Sequence, residues 1–157
     1  MRYEYTYRNT AFELWQVSMY YIYGSMAGMC NVVFTAAAFA LGYARWNQSG
    51  SLMRFIIVLG CCLFTLIQPL MLYIKAGRQA AGITQDTRIA LDDWGVHIRV
   101  GEKTSDLPWK AVRKISRKPT MIIIFSDTVH GFVLTNRVLG DEKEAFAGYV
   151  ISKIKQG

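Results

Sequence analysis

Five basic side chains, Lys110, Arg113, Lys114, Arg117 and Lys118, crowd into nine consecutive residues beside Trp109. Clustered cations next to an aromatic ring suit contact with lipid headgroups or an acidic protein surface. Each cation held near an anionic leaflet contributes about 1 kcal/mol. A helix would put all five on one face, whereas a strand would split them between two. The plainer reading of the run is a solvated face. Trp109, Lys110, Arg113, Lys114 and Arg117 are the expected lipid- or partner-binding residues. His97 falls in the middle of an expected strand and His130 in a hairpin turn, neither with a second ligand at metal spacing. Ser126 and Asp127 lie close to His130, but a catalytic triad forms in space, not by adjacency in sequence. An Asp and a His in a turn more often hydrogen-bond the turn itself. Asp92 and Asp93 are turn formers before Gly95. No phosphate-binding loop or dinucleotide fingerprint occurs. The expectation is therefore a non-enzymatic protein with no cofactor and no metal. Nucleic acid is not an expected partner, because the basic balance comes without a reading motif.

Two apolar stretches must position whatever these residues do. They cover about residues 22–43 and 53–74, each about 20 residues long, the length that crosses a hydrocarbon core of roughly 30 Å. Between residues 22 and 74 the only charged side chains are Arg45 and Arg54, in or beside a short polar break. Neither stretch has the polar stripe of a soluble core helix. The expected result is a transmembrane helical hairpin. Cys30, Cys61 and Cys62 all lie within it, with no disulfide framework, which fits a reduced cytoplasmic setting for the rest. About twenty polar and aromatic residues precede the first apolar run, unlike a cleavable signal peptide. Arg2, Arg8, Lys75, Arg78 and Arg88 flank the hairpin on the side of both termini, against Arg45 and Arg54 in the loop. The positive-inside rule puts both termini in the cytoplasm.

Within the hairpin, Gly24, Gly28, Asn31, Thr35, Ala38 and Gly42 recur at three- or four-residue steps. Small residues let helix backbones approach closely in lipid. The stripe is expected to pack on the second span, with a second copy of the chain as the other possible partner. Pro69 removes a backbone donor and should bend the second span, freeing the carbonyl of Thr65. Asn31 and Gln68 lie at similar depth and are expected to hydrogen-bond across the hairpin. Gly24, Gly28, Asn31, Thr35 and Gln68 are thus the expected helix-packing residues.

Residues 1–8 form the first expected element, because Tyr3, Tyr5 and Tyr7 alternate with polar residues at the period of a strand. That strand is expected to join the sheet of the C-terminal domain. Residues 9–75 comprise an interfacial helix, opened by a Thr10–Glu13 capping box and running into the first span, and the hairpin. Trp15, Tyr20, Tyr21 and Tyr23 form an aromatic belt there. KAGRQAAG reads as the linker to residues 80–157. There short strands separated by turn signals predict a small antiparallel β domain. Its strands are ITQDTRIAL, VHIRV, Ser105 to Trp109, MIIIFS and FVL, the last hairpin turning over residues 127–131. A final helix capped by Asp141 follows, burying Phe146, Tyr149, Val150 and Ile154. The fold class is α+β.

LDDWG, LPWKAVRKI, IIIF, FVLTNRVL and a closing helix with Phe146 follow one another in an order that resembles the YcxB-like family of bacterial membrane proteins. The resemblance covers nearly the whole chain. It implies a bacterial protein of the cytoplasmic (inner) membrane, with a C-terminal domain similar to pleckstrin-homology-like half-barrels. It supplies no catalytic residues. One departure is that TNRVL lacks the proline that usually follows the late strand. The expected function is to present this domain at the cytoplasmic face for binding anionic lipid or protein. The alternative is a membrane-complex subunit or immunity protein that docks another membrane protein through its hairpin.

Overall fold

A computed structural model describes residues 3–127 and 130–156. They form two compact units. One is Thr10–Gly82, and the other joins the N-terminal strand to the chain from Ile83 onward. Met1 and Arg2 of the N-terminal segment, Thr128 and Val129 of the 127–131 turn, and Gly157 lie outside the described residues.

In the order of the chain, strand β1 (Tyr3–Tyr7) precedes the helical unit. Helix α1 (Ala11–Tyr23) opens on the capping box: Glu13 N–H donates to the Thr10 hydroxyl at 3.3 Å, and Thr10 N–H to the Glu13 carboxylate at 2.8 Å. Contrary to expectation, α1 does not run into the first span. Gly24 closes it by donating its N–H to Tyr20 O at 3.1 Å, and Ser25 caps a new helix, α2 (Met26–Arg45). The chain returns through α3 (Ser51–Cys62), one π turn at Leu63–Ile67, and α4 (Gln68–Gly82). This leg is continuous over 32 residues, about 48 Å at 1.5 Å per residue. KAGRQAAG is therefore helix rather than linker, since Lys, Ala, Arg and Gln are all good helix formers. Helix α1 packs along α4, with Trp15 edge-on to Tyr73 at 6.2 Å.

Pro69 follows the π turn closely and leaves one carbonyl of it without a backbone donor. Gln68 N–H bonds Leu63 O, five residues back. In that register Phe64 O would need the N–H of residue 69, which proline lacks. The Tyr23 hydroxyl donates to Phe64 O instead, at 3.1 Å. The shifted register thus orphans the carbonyl of Phe64, where a regular helix would have orphaned that of Thr65. Trp15 Nε1 adds a bond to Pro69 O at 3.1 Å.

In the second unit, β1 pairs antiparallel with β2 (Thr87–Leu91), and β3 (Gly95–Val100) and β4 (Lys103–Pro108) complete a four-stranded antiparallel sheet. Strands β5 (Lys114–Arg117), β6 (Met121–Phe125) and β7 (Gly131–Thr135) form a second antiparallel sheet of three. The alternating inward residues Ile89, Leu91, Val96, Ile98, Ile122, Ile124 and Leu134 meet in one core. The late strand stops at Thr135, and NRVL is a short helix, α5 (Asn136–Leu139). A further turn at Gly140–Glu142, which takes Asp141, leads into α6 (Lys143–Gln156). Phe146 of α6 is fully buried and meets the rings of Tyr3 and Tyr5 edge-on at 5.5 and 5.7 Å.

Candidate functional site

The basic run is built by a short turn and a strand. Pro108, at φ −63°, ends β4 and starts a 3-10 turn over Trp109–Ala111, after which β5 begins. That turn swings Trp109 inward. Its indole N–H donates to Asp92 O at 2.9 Å, its ring lies edge-on to Tyr149 at 6.0 Å, and only 6% of it is exposed. Trp109 is a core residue, which corrects its expected place on a contact surface. The reason is the turn itself, which gives one apolar ring the inward direction and leaves its charged neighbour outside.

The cations also divide. Arg117 pairs with Glu144 on α6. Lys118 closes the β5–β6 turn, donating its N–H to Met121 O at 2.8 Å, while its carbonyl accepts from Lys143 Nζ at 2.8 Å. Lys110, Arg113 and Lys114 remain exposed, and none of the three pairs with a carboxylate among the described residues. Arg113 N–H bonds Phe125 O at 3.0 Å, which fixes the backbone from which these side chains project. The patch is thus three free cations on an anchored backbone, with Arg117 neutralised nearby.

In the helical unit, Asn31 Nδ2 donates to Gln68 Oε1 at 2.9 Å. The Thr35 hydroxyl donates to Asn31 O at 2.8 Å. Gly28 faces the α1–α2 break: a Cβ there would lie 2.4 Å from Ile22 O and 2.5 Å from Tyr23 Cα. Gly24 is the end of α1. The first two members of the stripe therefore pack within their own connection. Ala38 and Gly42 approach the second apolar helix instead, where a Cβ on Gly42 would stand 3.2 Å from Ile57 Cγ2.

Sequence reasoning missed the cluster around His97. Strands β3 and β4 join through Gly101 and Glu102, so His97 faces Asp106 across the pair. His97 Nδ1 lies 2.6 Å from Asp106 Oδ1, and Nε2 lies 2.9 Å from Asp92 Oδ2. Asp92 Oδ1 accepts the N–H groups of Trp94 and Gly95 at 2.9 and 3.1 Å. The indole of Trp94 stacks on the imidazole at 5.6 Å. Gly95 is required here, since a Cβ would meet Leu107 O at 2.3 Å. The two-residue turn was the available signal, because it alone sets 97 against 106. The hydrogen bond to Asp106 is the main cause that raises the His97 pKa, desolvation opposes it, and the Asp92 bond adds to it. For Asp92, desolvation raises the pKa but is outweighed by the bonds from Gly95, Trp94 and His97, so its carboxyl is lowered.

At the other histidine, His130 Nδ1 lies 2.7 Å from Asp127 Oδ2, and the Ser126 hydroxyl donates to His130 O at 3.2 Å. Serine reaches the backbone there, not the ring. Among the described residues no three His, Cys, Asp or Glu side chains converge as a metal site requires.

A comparison with family models matches residues 91–148 to YcxB-like protein. The match runs from the end of β2 into α6 and leaves out the helical unit, so it is narrower than the resemblance drawn over nearly the whole chain. No curated protein and no solved structure matches. The chain thus carries a YcxB-like region, residues 91–148, the family to which its LDDWG and LPWKAVRKI motifs pointed.

Proposed function

We propose that this is a non-enzymatic protein of the bacterial inner membrane that presents a pleckstrin-homology-like domain on the cytoplasmic face to bind anionic lipid or an acidic protein. The observation that carries the membrane assignment is the outward face of the two long helices. Met26, Val33, Phe39, Leu52, Phe55 and Leu66 are all more than half exposed, an arrangement stable in hydrocarbon and costly in water. Arg8, Lys75, Arg78 and Arg88 against Arg45 and Arg54 favour both termini inside. Sheets of four and three antiparallel strands with a C-terminal helix support the pleckstrin-homology-like comparison.

Lys110, Arg113 and Lys114 form the contact, with Arg117 at its margin. The test uses the full-length chain purified in mild detergent, with retained anionic lipid and co-purifying protein identified by mass spectrometry. The triple change Lys110→Glu, Arg113→Glu, Lys114→Glu should lose the retained species while thermal unfolding stays unchanged, because none of the three packs in the core. Retention equal to the parent chain's would overturn the assignment.

A further inference from the structure

We propose that His97 is a doubly protonated staple locking the Trp94 turn, and that loss of its proton frees this exposed aromatic surface. The basis is a count of donors. Both ring nitrogens lie at hydrogen-bond distance from carboxylate oxygens, 2.6 Å to Asp106 and 2.9 Å to Asp92. A carboxylate only accepts, and a neutral imidazole has one N–H. In the neutral ring one nitrogen lone pair would therefore face a carboxylate oxygen. The imidazolium alone satisfies both contacts.

What the staple holds is specific. Asp92 uses one oxygen for His97 and the other for the backbone N–H groups of Trp94 and Gly95. Asp106 belongs to β4, so the ring ties the β2–β3 turn to the neighbouring strand. Trp94 lies over the imidazole at 5.6 Å and 21° between planes, a position in which a cationic ring is favoured. Trp94 is 56% exposed, and in this unit Trp94 and Val100 are the exposed large apolar side chains among the described residues. The side chain of His97 is itself 35% exposed, so protons reach it directly.

Charged groups on the neighbouring strands and on α6 are held by other partners. Ala90 faces His97 from β2. Arg88, on that strand, pairs with Glu4 of β1. Arg99, on the same strand as His97, donates to Gly101 O at 3.2 Å. From α6, Lys153 pairs with Asp93 at 2.6 Å. Among the described residues Asp92 and Asp106 are the charged groups in contact with the ring, and the raised His97 pKa agrees with their hold on its proton.

The chain has two histidines, so the experiment is direct. Full-length protein in detergent is labelled with ¹⁵N-histidine and carries His130→Gln, leaving His97 as the single signal. At neutral pH both ring nitrogens should show imidazolium shifts, and the titration midpoint should lie above that of free imidazole. Asp106→Asn should lower that midpoint. Tryptophan emission should rise through the same midpoint as the quenching imidazolium is lost, and this step should vanish in Trp94→Phe. A neutral tautomer at neutral pH in the otherwise unaltered site would overturn the staple, whatever the variants do. An emission step that persists in Trp94→Phe would overturn the coupling to Trp94.

Discussion

Removing the indole of Trp109 opens a hole between the 3-10 turn, Tyr149 and the carbonyl of Asp92. Truncation of a buried Trp to Ala costs about 3–5 kcal/mol, so Trp109→Ala should lower the unfolding temperature sharply. Trp109→Phe keeps most of the packing and loses one hydrogen bond, a cost of about 1 kcal/mol. A contact-surface Trp would show the opposite pattern, with lost binding and intact stability, and thermal unfolding of both variants distinguishes the two. Two ionisations act at the same scale. The raised pKa of His97 gives a contribution to stability that is fully present below the ordinary imidazole value of 6.5 and is lost as pH rises through the folded value. The lowered pKa of Asp92 gives one that is present above the ordinary 3.8 and is lost as pH falls through the folded value. Thermal stability should therefore form a plateau between these limits, and His97→Gln should remove the alkaline decline. A decline that survives His97→Gln would assign it to another group.

The elements of the helical unit depend on a few polar contacts in an apolar setting. Tyr23→Phe removes the donor to Phe64 O, at a cost of about 1 kcal/mol. Pro69→Ala restores a backbone N–H able to serve the same carbonyl, so Tyr23→Phe should cost little in that background. A double-mutant cycle on unfolding in detergent reads this coupling, and additive effects would refute it. Asn31→Leu and Gln68→Leu should likewise be non-additive, with a shared interaction of about 1 kcal/mol. Gly28→Leu should disrupt the α1–α2 connection, because its side chain would run into Ile22 and Tyr23. The variant should lose stability even as a monomer, so its failure by itself says nothing about helix docking between proteins. The capping box, the period of the tyrosines and the Asn31–Gln68 pair were legible because each depends on local spacing or on depth along a helix. The break at Gly24 and Ser25 was not, since the interfacial helix reads as running straight on into the first apolar stretch, whereas α1 ends at Gly24 and packs along α4.

At the scale of the whole molecule, the chain leaves the sheet unit after β1, builds the helical unit, and returns to pair β2 with β1. A fragment that begins at Ile83 lacks β1, and with it Tyr3 and Tyr7 of the core. It should be markedly less stable than the same fragment with residues 3–9 fused ahead of it through a flexible linker, as chemical denaturation would show. Equal stability would mean that β1 is dispensable. The sequence by itself determined the two apolar lengths, the strand periodicities and the α+β class, because hydrophobic pattern and turn chemistry act over a few residues. It also carried the YcxB-like motifs of the matched region. Only the tertiary structure decided that Trp109 faces inward against Tyr149 and that Arg117 is neutralised by Glu144. These outcomes depend on which residues distant in sequence become neighbours, and a side chain's direction and charge partners are set by those neighbours rather than by its own residue type.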